Sequence, residues 1–378
     1  MMRFVLALWL ALVAGVPAMA AQTFDTEKGK ISVAVVAEGL PYPWAIDFLP
    51  DGRMIVTERS GKMRIITEGG GVSEAIQGVP DVDARGQGGL LDVAVHPGFA
   101  DNRLIYWTFS EAGQGGNSTA VARGRLSEDG TTLNEVRVIF SQKPKINSDK
   151  HFGSRLVFDG NGHLFVTLGE RFNAKTRDQA QKLDSDLGKV VRLMEDGAIP
   201  GDNPFYNKEG ALPEIWSYGH RNPQAAAINP VTGELWEIEH GPRGGDEINI
   251  PKAGKNYGWP VISYGVNYDG TPVGSGKQEM PGMEQPIYQW TPVIAPSGMA
   301  FYTGELFPKW KGNLFVGGLA AQALVRLEID GNKVTHEERL LRELGLRIRD
   351  VAQSPDGNLY AVTDEDDGMI LKISPAQP

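Results

Sequence analysis

The sequence predicts an all-β fold, a six-bladed β-propeller spanning residues 21–378. Three observations carry that prediction. An apolar strand, a turn of Pro, Asp, Asn or Gly, and a second apolar strand recur as a unit six times, and self-similarity at long period marks a repeat architecture. The shorter spacings between copies suit one four-stranded blade each. No long amphipathic helical pattern competes, and turn residues interrupt the chain roughly every 8–12 positions, as in all-β folds. Length alone would argue for two or three domains, but the repeat overrides it.

The copies follow in order. The first runs from Trp44 to Thr57 (WAIDFLPDGRMIVT) and the second from Leu91 to Trp107 (LDVAVHPGFADNRLIYW). The third spans Arg155 to Thr167 (RLVFDGNGHLFVT), and the fourth Gln224 to Glu237 (QAAAINPVTGELWE). The fifth covers Gly298 to Val316 (GMAFYTGELFPKWKGNLFV), and the sixth Ile348 to Val362 (IRDVAQSPDGNLYAV). Each half is too short and too regularly broken by turn residues to be a helix. The second strands begin near Met54, Leu104, Leu164, Leu235, Leu314 and Leu359, 45 to 79 residues apart. The longer intervals read as insertions, and the two largest, 168–222 and 238–296, are expected on the face that carries the site. Because the outer copies lie near the two termini, the ring is expected to close by combining N- and C-terminal strands in one blade.

Residues 1–20 hold one Arg, an apolar run and small residues ending Ala18-Met19-Ala20. That is the pattern of a secretory signal peptide cleaved after Ala20, with an apolar run short for a spanning helix. A periplasmic protein without a membrane span in the mature chain is expected. Export permits disulfides, yet the chain has no cysteine, so its core must hold the fold. The net charge of −10 becomes −11 when Arg3 leaves with the leader. So acidic a chain would repel a phosphate backbone, which argues against nucleic acid as a partner. An anionic small ligand would need a local cluster of Arg and Lys.

The segment from Glu239 to Pro260 (EHGPRGGDEINIPKAGKNYGWP) reads as one long irregular loop, ordered by its Gly, Pro and Asn residues. Carbonyls splayed at Gly241-Pro242 beside Asp246 and Glu247 supply the oxygens a hard cation prefers; a packed turn whose acids face water is the alternative. Of six histidines, His96 and His163 fall in repeat turns and read as structural, His336 as surface, and His220 and His240 as either. His151, in SDKHFGSRLVF, sits at the entrance of the third repeat. A histidine there is placed to act as a general base, its ordinary pKa lying near neutrality; a hydrogen-bonded structural role is the alternative. Equivalent entrances carry Gln87, Arg221, Asn222, Arg347 and Arg349, and innermost strands converge on one channel mouth. Three arginines there suit an anionic ligand with carboxylates or phosphates. The alternation Arg347-Ile348-Arg349 puts both guanidinium groups on one strand face, and salt bridges to acids such as Asp350 are the competing use. The segment TDEDDG (Thr363 to Gly368) reads as a solvated turn. No cysteine nucleophile, zinc helix or nucleotide loop is present.

With these residues assembled, the chain resembles the soluble aldose sugar dehydrogenases that use pyrroloquinoline quinone (PQQ), relatives of soluble quinoprotein glucose dehydrogenase. The resemblance covers the whole mature chain and rests on PYPWAIDFLPDGRMIVTER, RGQGGLLDVAVHP, HFGSRL, YGHRNPQ, EHGPRGGDEIN with GKNYGWP, APSGMAFY and RIRDV. It implies a six-bladed propeller that oxidises an aldose at C1 to the lactone. In that reading His151 takes the proton of the anomeric hydroxyl and hydride passes to C5 of PQQ. Calcium on the carbonyls of Gly241 and Pro242 polarises the quinone. Arg221 and Asn222 contact the quinone oxygens, Gln87 holds substrate and cofactor edges, Arg347 and Arg349 bind PQQ carboxylates, and Tyr268 makes a further cofactor contact. Glu247 and Tyr257 match a second, structural calcium site, and Tyr288 and Trp290 border the sugar. The family's lysine after the fifth repeat is missing: the loop reads Gly317-Gly318-Leu319-Ala320-Ala321-Gln322. Losing that cation weakens cofactor binding by roughly 1.5–3 kcal/mol, with Gln322 as a neutral substitute. The sequence leaves open the electron acceptor, with a periplasmic cytochrome or quinone as candidates, and the choice between monomer and homodimer. A non-catalytic binding propeller and a calcium-dependent lactonase are the alternative functions.

Overall fold

The computed structural model describes residues 21–377; the leader expected over residues 1–20 lies outside them. In chain order, β1 (Gln22–Thr26) and β2 (Gly29–Leu40) precede the first blade, β3 (Pro43–Phe48), β4 (Met54–Glu58) and β5 (Lys62–Ile66). The second blade comprises β6 (Leu90–Val95), β7 (Leu104–Gly113), β8 (Gly116–Leu126) and β9 (Leu133–Ser141). The third holds β10 (Gly153–Phe158), β11 (His163–Leu168), β12 (Lys189–Met194) and β13 (Ile215–Tyr218). The fourth holds β14 (Pro223–Ile228), β15 (Leu235–Glu239), β16 (Asp246–Asn249) and β17 (Tyr288–Trp290). The fifth holds β18 (Pro296–Phe301), β19 (Leu314–Gly318), β20 (Ala323–Asp330) and β21 (Lys333–Leu340). The sixth begins with β22 (Ile348–Gln353), β23 (Leu359–Thr363) and β24 (Gly368–Pro375), and β2 and β1 complete it.

Five blades are antiparallel meanders and the sixth is an antiparallel sheet assembled from both ends of the chain, and the six repeats are the first two strands of the six blades. The innermost strands β3, β6, β10, β14, β18 and β22 each pack on the next, with β22 returning to β3. Closure is as expected: β2 pairs with β24 from Ile31↔Pro375 to Leu40↔Gly368. Two expectations need correction. The intervals 168–222 and 238–296 are not wholly insertions, because they contain the third and fourth strands of their own blades. Likewise Glu239–Pro260 is not irregular throughout, since β16 crosses it and pairs Glu239 with Glu247. Short polar strands such as DEIN lack the alternation that betrays a half-buried strand.

The hydrophobic core is divided into wedges. The larger clusters each join two successive blades, as Trp107 with Ile55 or Trp236 with Phe301, so no blade can bury its faces alone. Every innermost strand is bulged near the mouth, from Pro43/Ala45 to Ile348/Asp350, and bulges re-aim side chains at barrel and sheet rims. A threonine from the second strand satisfies the freed amide and reaches the next blade. Thr57 accepts from Ala45 N at 3.1 Å and donates to the Leu91 carbonyl at 2.6 Å. Thr108 and Thr167 repeat the device toward Ser154 and Pro223.

The channel is plugged by Arg155. From the third blade it reaches Asp92 of the second at 2.7 Å, Asp350 of the sixth at 2.9 Å and the Gln224 carbonyl of the fourth at 2.7 Å. A side chain touching three other blades must lie on the axis. It also rests on the Trp44 ring at 4.5 Å. Asp350 is therefore spoken for by Arg155, and the acid that meets Arg347 and Arg349 is a different one.

Candidate active site

Two sets of loops reach the mouth. One comprises the entrances to the innermost strands, including 142–152, 219–222 and 341–347. The other comprises the turns after each second strand, including 169–188, 240–245, 319–322 and 364–367. Reading the entrances alone finds half of the site.

His151 stands at the first kind of loop with φ of 54°, an uncommon backbone for a non-glycine residue and one that clusters at functional sites. Its amide donates to Gln87 Oε1 at 2.9 Å, and its Nδ1 lies 2.8 Å from Glu170 Oε1. Glu170 comes from the second kind of loop, just after β11. The approach requires Gly169, where a Cβ would sit 2.1 Å from the His151 carbonyl. Burial pulls the His151 imidazole well below its ordinary pKa, and Arg221, Arg171 and Lys150 add to the effect. Burial pushes Glu170 up to about 7, with Arg221 opposing. The ring is thus neutral near neutral pH, its Nδ1 occupied and its Nε2 without a hydrogen bond among the described residues. That is the state a general base needs.

Arg171 fixes the loop beneath. It is fully buried and donates to the Ser148 carbonyl at 2.8 Å, the Lys150 carbonyl at 3.2 Å and Asn117 Oδ1 at 2.6 Å. Its guanidinium lies 3.6 Å from the centre of the Phe152 ring, a close cation–π contact. Both neighbours of His151, Lys150 and Phe152, are held by this one side chain.

Arg221 and Asn222 are positioned by Glu239, whose Oε2 accepts from both backbone amides, that of Asn222 at 3.2 Å. Arg221 donates to the carbonyls of His240 and Gly241 at 2.9 and 2.8 Å and lies over the Trp259 ring at 5.1 Å. It approaches the Tyr268 hydroxyl at 3.5 Å, and its Nε is buried without a partner. Asn222 Oδ1 accepts from Gly153 N at 3.1 Å, tying it to the His151 strand. Asp246, a candidate cation ligand by sequence, is instead a staple: Oδ1 accepts from Gly241 N and Oδ2 from Ile294 and Ala295, each at 2.8 Å. No hydrogen bond among the described residues ends on the Pro242 carbonyl.

Arg347 and Arg349 share a face, and both reach Asp364, at 2.8 and 3.0 Å. Burial raises Asp364, but Arg349 and Arg347 outweigh it and hold the carboxyl below its ordinary value. The expected solvated turn at Thr363–Gly368 thus begins with two buried residues, Thr363 and Asp364, the second only 9% exposed, because a turn after a second strand points into the mouth.

Beside the Gly241 loop lies a buried acidic group. The ligand atoms of His220, Glu237 and Glu239 lie within 4.8 Å of one another. Neither Glu237 oxygen accepts a well-formed hydrogen bond; its nearest cationic neighbour is His220 Nδ1, 3.4 Å from Oε1. Burial, then Glu239 and Glu237, push the Glu247 carboxyl well up. Glu247 and Tyr257 line one small cavity with Gly241 and Pro242. The Tyr257 hydroxyl is committed to the Ile250 carbonyl and Lys252 N, which leaves its backbone carbonyl as the atom available to a cation.

The remaining expected residues are engaged in contacts of their own. Tyr288 and Trp290 lie on the outermost strand β17, and both bond Glu337 of the next blade, at 3.0 and 2.7 Å. They staple blades rather than face His151. Gln322 is exposed and donates to the Gly345 carbonyl at 2.8 Å. His96 follows β6 and His163 opens β11, each with a local partner, which agrees with structural roles. Sequence reasoning missed Glu170, Arg171, Glu239 and Asp364; the available signal was their common position at or just after the ends of second strands.

The family model for glucose/sorbosone dehydrogenases matches residues 40–372. The aldose sugar dehydrogenase YliI of Escherichia coli is 50% identical over 348 residues, covering 91% of this chain and 93% of the relative. Quinoprotein glucose dehydrogenase B of Acinetobacter calcoaceticus is 30% identical over 447 residues, covering 96% and 92%. Among solved structures, the apo form of the soluble aldose sugar dehydrogenase from Escherichia coli superposes with a TM-score of 0.89 at 48% identity, covering 92% of this chain and 100% of that one. The PQQ-bound aldose sugar dehydrogenase from Streptomyces coelicolor gives 0.76 at 29% identity, covering 91% and 98%. With the blade count, the mouth and these likenesses together, the chain belongs to the glucose/sorbosone dehydrogenase family.

Proposed function

We propose that this chain is a periplasmic PQQ- and calcium-dependent enzyme that oxidises aldose sugars at C1 to lactones. The observation that carries the reading is a buried, neutral His151 whose Nδ1 is held by Glu170, at a mouth ringed by Arg221, Arg347 and Arg349. The residues fit both groups. The arginines, one with a buried Nε lacking a partner, offer donors to carboxylates and quinone oxygens. The carbonyls of Gly241 and Pro242 are hard-cation ligands, with Arg221 already drawn to the first. Glu247 and the Tyr257 carbonyl, in a neighbourhood where the buried carboxylates of Glu237 and Glu239 outnumber the one imidazole of His220, suit a second calcium. Bound there, PQQ supplies a two-electron acceptor and calcium the Lewis acidity that polarises it.

His151 Nε2 accepts the proton of the anomeric hydroxyl, and Glu170 stabilises the imidazolium that forms. Gln87 fixes the His151 backbone. Asn222 couples that strand to Arg221, so base and guanidinium keep their separation. Arg347 and Arg349 carry Asp364 as counter-ion until carboxylates replace it, and Tyr268 flanks Arg221. Electrons leave to an external acceptor, a cytochrome or quinone. The test is reconstitution of apo-protein with calcium and PQQ, then an aldose panel with a dye acceptor. Turnover with at least one aldose that His151→Gln abolishes is expected; no absorbance change on PQQ addition, or no turnover with any sugar, refutes the reading.

A further inference from the structure

Exposed large aromatic rings are few among the described residues, and two of them meet edge to face at the mouth. Phe172 is 43% exposed and Tyr268 62% exposed. Both line a cavity of about 520 Å³ with Glu170, Arg177, Arg221 and Trp259. The Phe172 ring centre lies 4.8 Å from that of His151 and 6.0 Å from that of Tyr268.

The backbone that presents this ring is strained. Phe172 has φ of 43° and the preceding Arg171 φ of 69°. Two successive non-glycine residues in the left-handed region are unusual, and a phenyl group brings no polar atom to offset the steric cost as Asn or Asp would. The cause is visible: the buried Arg171, tied to Asn117, Ser148 and Lys150, turns the chain inward. Phe172 is thereby lifted out of the core instead of packing into it. A large apolar ring normally gains by burial, so strain that holds one in water beside the base points to a ligand that covers it.

We propose that Phe172 is the sugar platform of the site, on which the C–H face of a cyclic aldose lies while its anomeric hydroxyl meets His151. This rests on the function proposed above and names what it recognises: the closed pyranose ring. A pyranose has a rigid face of C–H groups and a rim of hydroxyls. The electron-rich phenyl face takes the first, and Arg177, Asn173, Asn267 and Asp269 around the same cavity offer donors and acceptors for the second. Lys150 Nζ lies 5.5 Å from the centre of the same ring, and with Arg177 and Arg221 it supplies the charge at this rim, while the apolar face of Phe172 itself offers nothing to a carboxylate. An open-chain polyol has as many hydroxyls but no rigid face, so the platform selects ring over chain.

The test uses probes that bind without reacting. 1,5-Anhydro-D-glucitol keeps the pyranose ring and lacks the anomeric hydroxyl, whereas D-glucitol is the open-chain counterpart. Both are titrated by ligand-observed NMR against the full chain, with and without calcium and PQQ, for wild type, Phe172→Ala, Phe172→Leu and Phe172→Tyr. Wild type is expected to prefer the ring. Phe172→Ala and Phe172→Leu should bind it about tenfold more weakly, as loss of one stacked face implies, with D-glucitol unchanged. Phe172→Tyr should restore the preference, and the PQQ absorbance titration should match wild type in all three. Phe172 is exposed, so equal melting temperatures are expected to show that folding is intact. Equal ring binding in Phe172→Leu, no ring binding by wild type in either state, or a loss of PQQ uptake in Phe172→Ala would overturn the proposal. Ring binding through Phe172 by a protein that oxidises no aldose would refute the reaction and leave the platform standing.

Discussion

The contact between His151 and Glu170 is the interaction on which the proposed chemistry most depends, and Glu170→Gln isolates it. The substitution keeps size and one oxygen but removes the charge. A buried hydrogen bond to a charged group contributes about 1.5–3 kcal/mol, and the imidazolium that Glu170 stabilises exists only after proton transfer. The loss should therefore fall on kcat, by roughly ten- to a hundredfold at 1.4 kcal/mol per decade. The pH profile supplies the second readout. With Glu170 at about 7, protonation on the acid side removes the acceptor for Nδ1–H, so wild-type kcat should climb through pH 7. Glu170→Gln should lack that limb. Stability moves the other way. Because the folded value lies above the ordinary 4.5, the folded state binds the extra proton between 4.5 and about 7, and this group's contribution declines as pH rises through that window. At pH 8 the variant should be no less stable than wild type. Dye-reduction kinetics across pH on PQQ-loaded protein, with melting curves alongside, make the measurement. An unchanged kcat and profile, or a rate loss that only tracks a lower melting temperature, would refute the reasoning.

Arg155→Met should cost about 3–5 kcal/mol in denaturant titration, because Asp92 and Asp350 are left buried and uncompensated; adding Asp92→Asn and Asp350→Asn should recover part of it. Arg171→Met removes donors to three acceptors and should lower both the unfolding midpoint and kcat while PQQ titration stays near wild type. Glu247→Gln should shrink the calcium-dependent rise in melting temperature more than it lowers kcat at saturating PQQ and calcium; the reverse ranking would reassign Glu247 to the catalytic ion.

Much of the fold was legible because a propeller repeats its hydrophobic signature: a turn flanked by two apolar strands survives in every blade. The outer strands were not. LNEVRVIFS and KVTHEERL have one wet face and mixed polarity, and DEIN is too short to show a period. The site divided in the same way. Residues at strand entrances, such as His151, Arg221 and Arg349, could be grouped by their equivalent positions in the repeat. Glu170 and Asp364 sit after second strands, where the sequence around them, LGER and TDED, resembles any polar turn. Their burial arises from the ring bringing loops from different blades together, which no local pattern encodes. Tyr288 and Trp290 fail for the opposite reason: near APSG in sequence, they are carried to the rim by β17.

The pairing of β2 with β24 has a consequence for how the molecule is made. Leu40 and Gly368 are partners, so the last blade forms only when nearly the entire chain is available. Bringing those ends together costs about 5 kcal/mol in loop entropy by the logarithmic law if nothing is formed between them. Five blades built beforehand spare most of that by holding the ends nearby. Assembly should thus proceed around the circle and finish with a zipping step of high contact order. Deleting β24 should leave a collapsed, five-bladed arc with open edges, prone to associate through them, rather than a slightly weakened ring.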